Sequence, residues 1–338
     1  MVLRIDIGLF AHDEAAGIAA MLRGLSLQDI FLDGTVSVRV LVLANGCQDQ
    51  TVAIAQSMDV PETEVIDLAA GGKSRTWNRF VHDLARTEAD VLMFMDADIE
   101  FCRADTLRRL VQELQNCPGL WVINSQPIKD IIARPQHLST LDKAIAAASG
   151  GLDDWKTAIC GQLYAMPAAR ARRFHLPIGL PVEDGFLRAM VLTNALTDPE
   201  DLSKIAGAHD VAHIFASERS IAALIKHQTR IVIGSAINAA CFAALRALPA
   251  DQRHAALATA AKDESWLTAT IATRLPRWPY GFVPLHFLVK RLAILLEDPK
   301  RLLRPKLLIT AFAGFGFDAI VYVCAQIAMW RGAGAGHW

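Results

Sequence analysis

The sequence is short of paired signals. None of its six cysteines (Cys47, Cys102, Cys117, Cys160, Cys241, Cys324) stands in a C-x-x-C spacing. A zinc site and a disulfide framework are therefore not expected, and buried thiols in a reducing compartment are. Charge of one sign is also missing: 34 Lys and Arg against 35 Asp and Glu leave a net charge of -1. The basic residues are spread along the chain and matched by acids, so no nucleic-acid partner is expected. There is no internal repeat and no low-complexity segment. No leader-like segment opens the sequence, because its first apolar residues alternate with Arg4 and Asp6 and read as a strand.

What is present is apolar and globular. The 338 residues are 53% hydrophobic and 20% charged, which excludes disorder and allows one large or two ordinary domains. A mean hydropathy of +0.28 is high for a soluble enzyme and directs attention to the C-terminal third. Val91 to Met95 is an unbroken apolar run of strand length, as in a strand buried on both faces of a parallel sheet. It ends in Asp96-Ala-Asp98. If the chain stays extended there, the two carboxylates point the same way. Ligands of open α/β sheets bind at the carboxyl ends of strands, and two convergent carboxylates suit a hard cation holding a diphosphate.

The surrounding pattern supports that placement. Strands at Arg4 to Phe10, Val36 to Leu43, Val65 to Leu68 and Val91 to Met95 alternate with helices at Ala16 to Leu25, Thr51 to Met58 and Lys73 to Arg86. Four such alternations predict a doubly wound α/β sheet with right-handed crossovers. Asp49 is placed to cap the second helix. Further strands are expected at Leu120 to Ser125 and Gly161 to Met166, with an edge strand at Val211 to Phe215. Helices are expected at Asp105 to Leu114, Arg170 to Phe174, Gly185 to Leu192 and Arg219 to Leu248.

The order and spacing of these fragments resemble family 2 glycosyltransferases, enzymes of the GT-A fold that use nucleotide-diphosphate sugars. Phe10-Ala-His-Asp-Glu14 is similar to the segment after that family's first strand. Ala44-Asn-Gly-Cys-Gln-Asp-Gln-Thr51 resembles its Asp-Asn-Gly-Ser-x-Asp-x-Thr step, and Gly72-Lys73 to Asn78 its Gly-Lys-x-x-x-x-Asn step. Asp96-Ala-Asp98 is similar to the metal-binding Asp-x-Asp, Glu183-Asp184 to the acceptor-activating carboxylate, and His227-Gln-Thr-Arg230 to the Gln-x-x-Arg-Trp region. The resemblance covers roughly residues 4 to 240.

It implies a GT-A type doubly wound, mixed but mainly parallel sheet flanked by helices, with a catalytic domain at 1–245 and a helical, apolar C-terminal region at 246–338. It implies an inverting transfer from a UDP- or GDP-sugar to an acceptor hydroxyl, assisted by a divalent cation, Mn²⁺ or Mg²⁺. By the resemblance Asp184 is the general base and Glu183 holds the acceptor. Ala11, Glu14, Asn45, Lys73, Asn78, Asp96, Gln228 and Arg230 contact the donor. The metal falls to Asp98 and Asp96, with His213 as a third ligand or, on its residue type alone, a structural histidine. Asn78 is also read as a loop stitch, and Trp77, Trp121 and Trp155 as core or wall.

Two departures narrow this. Ala44 replaces an aspartate that contacts the nucleotide base in many relatives. Ile231 stands where a tryptophan would follow Arg230, so a single-addition transferase is expected over a processive synthase. A catalytically idle scaffold of the same fold, or a nucleotidyltransferase, is the alternative. Phe10 to Glu14 supplies no glycine-rich basic phosphate loop for the latter, and retention of Asp96, Asp98 and Asp184 argues against the former.

The C-terminal region contains a helix at Phe287 to Leu296 and an apolar run, Leu307 to Trp330, interrupted by one charge, Asp318. The run is long enough to span a bilayer, or it forms a hairpin broken at Gly314 and Gly316 that lies on a membrane or in a homodimer. Membrane association, at the cytoplasmic face of the inner or plasma membrane, implies an acceptor on a lipid or lipid-linked glycan.

Overall fold

A computed structural model of the chain describes residues 2–138, 153–275, 281–296 and 305–332. Residues 139–152, 276–280 and 297–304 lie outside the described residues. Eight strands form one mixed sheet: β1 (Leu3–Ala11), β2 (Val36–Asn45), β3 (Thr63–Leu68), β4 (Val91–Asp96), β5 (Ile99–Phe101), β6 (Val122–Lys129), β7 (Leu163–Pro167) and β8 (Ile205–Phe215). Their order is β3-β2-β1-β4-β7-β6-β8-β5. The first four pair in parallel, β7 runs antiparallel to β4 and β6, and β8 runs parallel to β6.

Helices α1 (Ile18–Ser26), α2 (Thr51–Ser57), α3 (Lys73–Arg79), α4 (Thr106–Asn116), α5 (Asp130–Ala133), α6 (Ala168–Ala171) and α7 (Glu183–Thr193) accompany the sheet. The period-two alternation along β1 and β4 divides the core into two layers. Ile5, Ile7, Leu9, Val91, Met93 and Met95 pack with Ile18, Leu22, Leu107 and Leu110 on one face. Phe10, Leu92 and Phe94 pack with Trp77, Phe80, Tyr164 and Phe186 on the other. There the Trp77, Phe94 and Tyr164 rings stack at centroid distances of 5.6 and 4.6 Å, and Trp77 donates its indole N–H to the Tyr164 hydroxyl.

Two details differ from the sequence expectation. Strand β8 is longer and interior, because the three-residue β5 pairs with its outer side and takes the edge. Helix α8 (Ile221–Arg246) is one continuous element, followed by α9 (Arg253–Ala260), α10 (Ser265–Arg274), α11 (His286–Leu296) and α12 (Pro305–Trp330). Helix α12 is unbroken at Gly314 and Gly316, so the hairpin is not formed. At Gly314 the missing side chain makes room for a neighbour: a Cβ there would lie 2.6 Å from Arg291 Cδ. Arg291 thereby reaches Asp318 one turn further on, at 2.7 Å.

Among the described residues, two helices, Ile221–Arg246 and Thr310–Trp330, are long and apolar enough to cross a membrane by length and composition. The first is half buried within the protein and supplies core residues such as Ile237 and Cys241. Helix α12 seats Val321, Tyr322, Ala325 and Met329 in the core and leaves Phe312, Ile320, Val323, Ile327 and Trp330 exposed.

Candidate active site

Asp96 is the last residue of β4, in phase with Leu92 and Phe94, so its carboxylate leans toward α3 and α7 rather than α1 and α4. Lys73 opens α3, and its Nζ lies 2.6 Å from Asp96 Oδ1 and 2.7 Å from Oδ2. The same ammonium donates to the Gly161 carbonyl at 3.2 Å and stands 3.4 Å from Glu183 Oε1. Glu183 and Asp184 form the first turn of α7. Gly161 is the floor between them, since a Cβ there would lie 3.4 Å from Asp184 Oδ2 and 3.6 Å from Glu183 Oε1. Asp96, Glu183, Asp184 and Lys73 thus meet at one point, although sequence separates them widely.

The electrostatics follow from that packing. Burial pushes the Asp96 carboxyl up to about 6, with Lys73 opposing and Asp98 adding to the rise. Burial and then Glu183 push Asp184 up to about 6 as well, against Lys73, the Gly185 N–H and Arg230. For Lys73, burial works against the charge. The neighbouring acids, Asp96 and Glu183 first, nonetheless hold it above the ordinary lysine range. Three carboxyl groups share one ammonium, an arrangement that favours a further cation or a proton.

Asp98 does not stay beside Asp96 as an extended chain would require. Residues 97 and 98 form a turn into β5, and Ala97 donates its N–H to the Phe10 carbonyl at 2.9 Å. Asp98 is exposed and borders a cavity of about 640 Å³ together with Glu14, Gln28, Glu100 and Arg134. Glu14 is pushed up to about 7 by burial, then by Asp98, Asp96 and Asp49. The two aspartates therefore act on one locus from two sides.

The loops after β1 and β2 are tied together above this point. Glu14 N–H donates to Thr51 Oγ1 at 2.7 Å, Ala15 N–H to Asp49 at 2.9 Å, and Gln48 N–H to Asp13 at 2.7 Å. Asp49 also accepts the Thr51 N–H at 2.9 Å and so ties the loop at the start of α2, but the position that precedes the helix is held by Gln50, which makes no side-chain cap, so the expected capping role is not formed. Asp13, Cys47 and Asp49 bring ligand atoms within 4.8 Å of one another, but both carboxylates are already spent on these backbone groups. Ala11 is buried opposite Ala44. Asn45 is buried and accepts from Thr76 at 2.8 Å, fixing β2 to α3. Gly46, at φ +63, lets that loop approach Gly71, whose Cα would lie 2.8 Å from any Cβ.

Other expected donor or metal residues have different placements. Asn78 spends both ends of its amide on Leu176, donating to its carbonyl at 2.7 Å and accepting its N–H at 2.9 Å. It holds the 174–178 loop in the way the stitch alternative expected. His213 is fully buried, with Nδ1 2.9 Å from Ser125 Oγ and Nε2 3.2 Å from Gln162 Oε1. Burial lowers it to about 4, so it is neutral, and with both ring nitrogens engaged it has none left for a metal. Its work is to fix Gln162, whose carbonyl accepts the Asp96 N–H at 2.9 Å. Arg230 lies at the loop that leads into α7, donating from Nε to the Pro181 carbonyl at 3.2 Å. Gln228 is partly exposed on α8, and the described contacts of the acidic cluster do not include it.

Some contributors escaped the sequence reading. Asn124 is fully buried in β6, donates to the Ala158 carbonyl at 2.7 Å and accepts the Cys160 N–H at 3.0 Å, which sets the loop carrying Gly161. A polar residue inside the apolar run Trp121-Val-Ile-Asn-Ser was the available signal. Trp77 is a core residue, as expected, while Trp121 is ringed by Arg170, Arg173 and Lys204 at 4.5, 5.3 and 4.9 Å.

No protein-family model matches the sequence, and no curated protein matches it either. Among solved structures, a mannosyltransferase from Pyrobaculum calidifontis in complex with GDP-Man and Mn²⁺ superposes at a TM-score of 0.54 with 15% identity, over 98% of this chain and 88% of that chain. Glucosyl-3-phosphoglycerate synthase from Mycobacterium tuberculosis gives 0.47 at 18% identity, over 69% of this chain and 77% of that one. Mannosyl-3-phosphoglycerate synthase from Rubrobacter xylanophilus gives 0.48 at 14%, over 69% and 73%. The last two superpose too loosely to carry an argument. The first shares nearly the whole length, and the chain has the GT-A type sheet that its motifs imply.

Proposed function

We propose that the chain is a glycosyltransferase that moves a sugar from a UDP- or GDP-sugar to an acceptor hydroxyl with inversion. The observation that carries this is the meeting of Asp96, Glu183, Asp184 and Lys73 at the carboxyl end of β4. Asp184 takes the proton from the acceptor hydroxyl as that oxygen attacks the anomeric carbon. The bond from that carbon to the diphosphate breaks, and its electron pair leaves with the phosphate oxygen. A carboxyl raised to about 6 is ionised at neutral pH and still basic enough for this task. Glu183 orients the acceptor, and Lys73 keeps the acids apart and offers charge to the departing diphosphate.

The donor set fits a hard divalent cation, Mn²⁺ or Mg²⁺, because Asp98 is exposed, Asp96 and Glu14 are close to it, and all offer carboxylate oxygens. Such an ion supplies Lewis-acid stabilisation of the leaving diphosphate. The loops holding Ala11, Glu14 and Asn45 form the rim where the nucleotide would lie, and GDP-Man, present in the Pyrobaculum structure, is the first donor to try. Titration with UDP- and GDP-sugars, with and without Mn²⁺, tests the reading. Metal-dependent binding that Asp98→Ala abolishes supports it. Metal-independent binding unaffected by Asp98→Ala removes the metal role.

The finer reading places the enzyme peripherally on the cytoplasmic face of a membrane, acting on a lipid or lipid-linked acceptor. Its support is the exposed apolar stripe of α12, with Asp318 turned into the protein toward Arg291 and Lys290 at 2.7 and 4.0 Å. The boundary near residue 245 is proposed on the ending of α8 at Arg246, with the helices beyond it forming the attachment unit. Replacing Phe312, Ile320 and Val323 together by serine should abolish flotation with anionic vesicles. A wild-type chain that never floats but elutes as a dimer would assign the stripe to a homodimer.

A further inference from the structure

The segment that delivers Glu183 and Asp184 is an irregular loop, Pro177 to Val182, and regular structure of its own does not fix its direction. Helix α8 does so at three positions spaced one turn apart, on one face of the helix. Arg230 donates from Nε to the Pro181 carbonyl at 3.2 Å. At Gly234 the helix backbone touches Val182, since a Cβ there would lie 2.3 Å from Val182 Cγ2 and 3.2 Å from its nitrogen. Asn238 donates from Nδ2 to the Val182 carbonyl at 3.0 Å, and a Cβ on Gly185 would lie 3.6 Å from that same nitrogen.

The geometry points to Gly234 and Asn238 as positioning residues for the proposed transfer, setting where Asp184 stands relative to the acceptor oxygen. Asn238 is only 6% exposed, and its Oδ1 has no partner among the described residues. A buried orphan acceptor is unfavourable, and leucine would fill the same volume without one. What the asparagine offers, and leucine would lack, is the N–H to the Val182 carbonyl. Gly234 is equally specific. The helix interior would prefer alanine, yet any side chain there displaces Val182 and, with it, the next two residues.

This inference rests on the sugar-transfer reading, and its test separates the two. Amide hydrogen exchange of residues 182–186 is measured in the full chain for wild type, Asn238→Leu and Gly234→Ala, beside kcat, donor KM and Tm. The expected result is faster exchange at 182–186 in both variants. It comes with a roughly tenfold lower kcat, a donor KM within about twofold, and no loss of Tm in Asn238→Leu. Unchanged exchange overturns the positioning role whatever the activity, and so does faster exchange with unchanged kcat. Should Asn238→Leu fail to fold, Asn238→Ala is read the same way for exchange and the kcat-to-KM split. A wild-type chain that transfers no sugar defeats the transferase reading alone, because the exchange result still decides whether α8 holds the loop.

Discussion

Two buried charge centres in this molecule are built to different rules. At the foot of β1, Asp6 is fully buried and faces Arg86, which gives it Nε and its backbone N–H at 2.7 and 2.6 Å. The rest of that guanidinium is spent on Ile5, Ser37 and the Ser37 carbonyl. Every group is matched. At the other end of the same sheet, three carboxyl groups share the ammonium of Lys73, and burial pushes Asp96 and Asp184 up to about 6 in spite of it. A balanced pair holds structure together. An unbalanced cluster favours a further cation or a proton, which is the kind of arrangement active sites use.

The strongest way to break this contrast is at Asp184. Asp184→Asn should leave donor binding within about twofold and lower turnover by roughly 10²–10⁴, the range of a general base. Calorimetry with the donor and a transfer assay check it, and unchanged turnover would remove Asp184 as the base. Next in size, Asp98→Ala should lower metal-dependent donor affinity by about 10- to 100-fold while Tm stays within a few degrees, because the residue is exposed.

The four side chains that meet at the end of β4 could be named from the chain beforehand, their roles being proposals, and the physics explains where reading stopped. The apolar run Val91 to Met95 and the acids after it have a periodicity that survives folding. The position of Asp98 did not follow, because the turn at 97–98 is set by the hydrogen bond from Ala97 to Phe10, a residue of another strand. Strand β5 is three residues long, too short for any period, and exists through its pairing with β8. Asn78 and His213 have the residue types of ligands. Their hydrogen bonds to Leu176, Ser125 and Gln162 are long-range facts that local pattern does not contain. Gly314 reads as a helix breaker until Arg291 is seen to lie across it.

The unbalanced cluster also predicts an unusual pH response. Asp96 and Asp184 titrate near 6 in the folded chain and near the ordinary carboxylate value when unfolded, so the folded state binds more protons between those values. Stability without metal should therefore fall as pH rises from about 4 to about 7, the reverse of a salt-bridged carboxylate. Turnover should move the other way, rising through pH 6 as Asp184 ionises. Thermal melts and a pH–rate profile measured together check both limbs. A transfer rate that is flat from pH 5 to 7 would detach Asp184 from the proton step.

At Asp6 the effect should appear in stability alone. Asp6→Asn leaves Arg86 without its countercharge and should cost about 3 kcal/mol in denaturant unfolding, without changing donor KM in protein that remains folded.

The smallest effect belongs to the C-terminal helices, and it sharpens the contrast from the balanced side. Asp318 is 6% exposed and meets Arg291 at 2.7 Å, with Lys290 further off at 4.0 Å, so two cations attend one acid. Arg291 is 46% exposed, and solvent weakens its pairing, so Arg291→Ala should cost only about 1 kcal/mol. Because Gly314 was left bare for the Arg291 side chain, Gly314→Ala in the Arg291→Ala background should be tolerated, whereas in the wild type it should destabilise. A double-mutant cycle on Tm reads this coupling directly. If the two changes simply add, Gly314 does not serve the arginine, and the continuity of α12 needs another explanation.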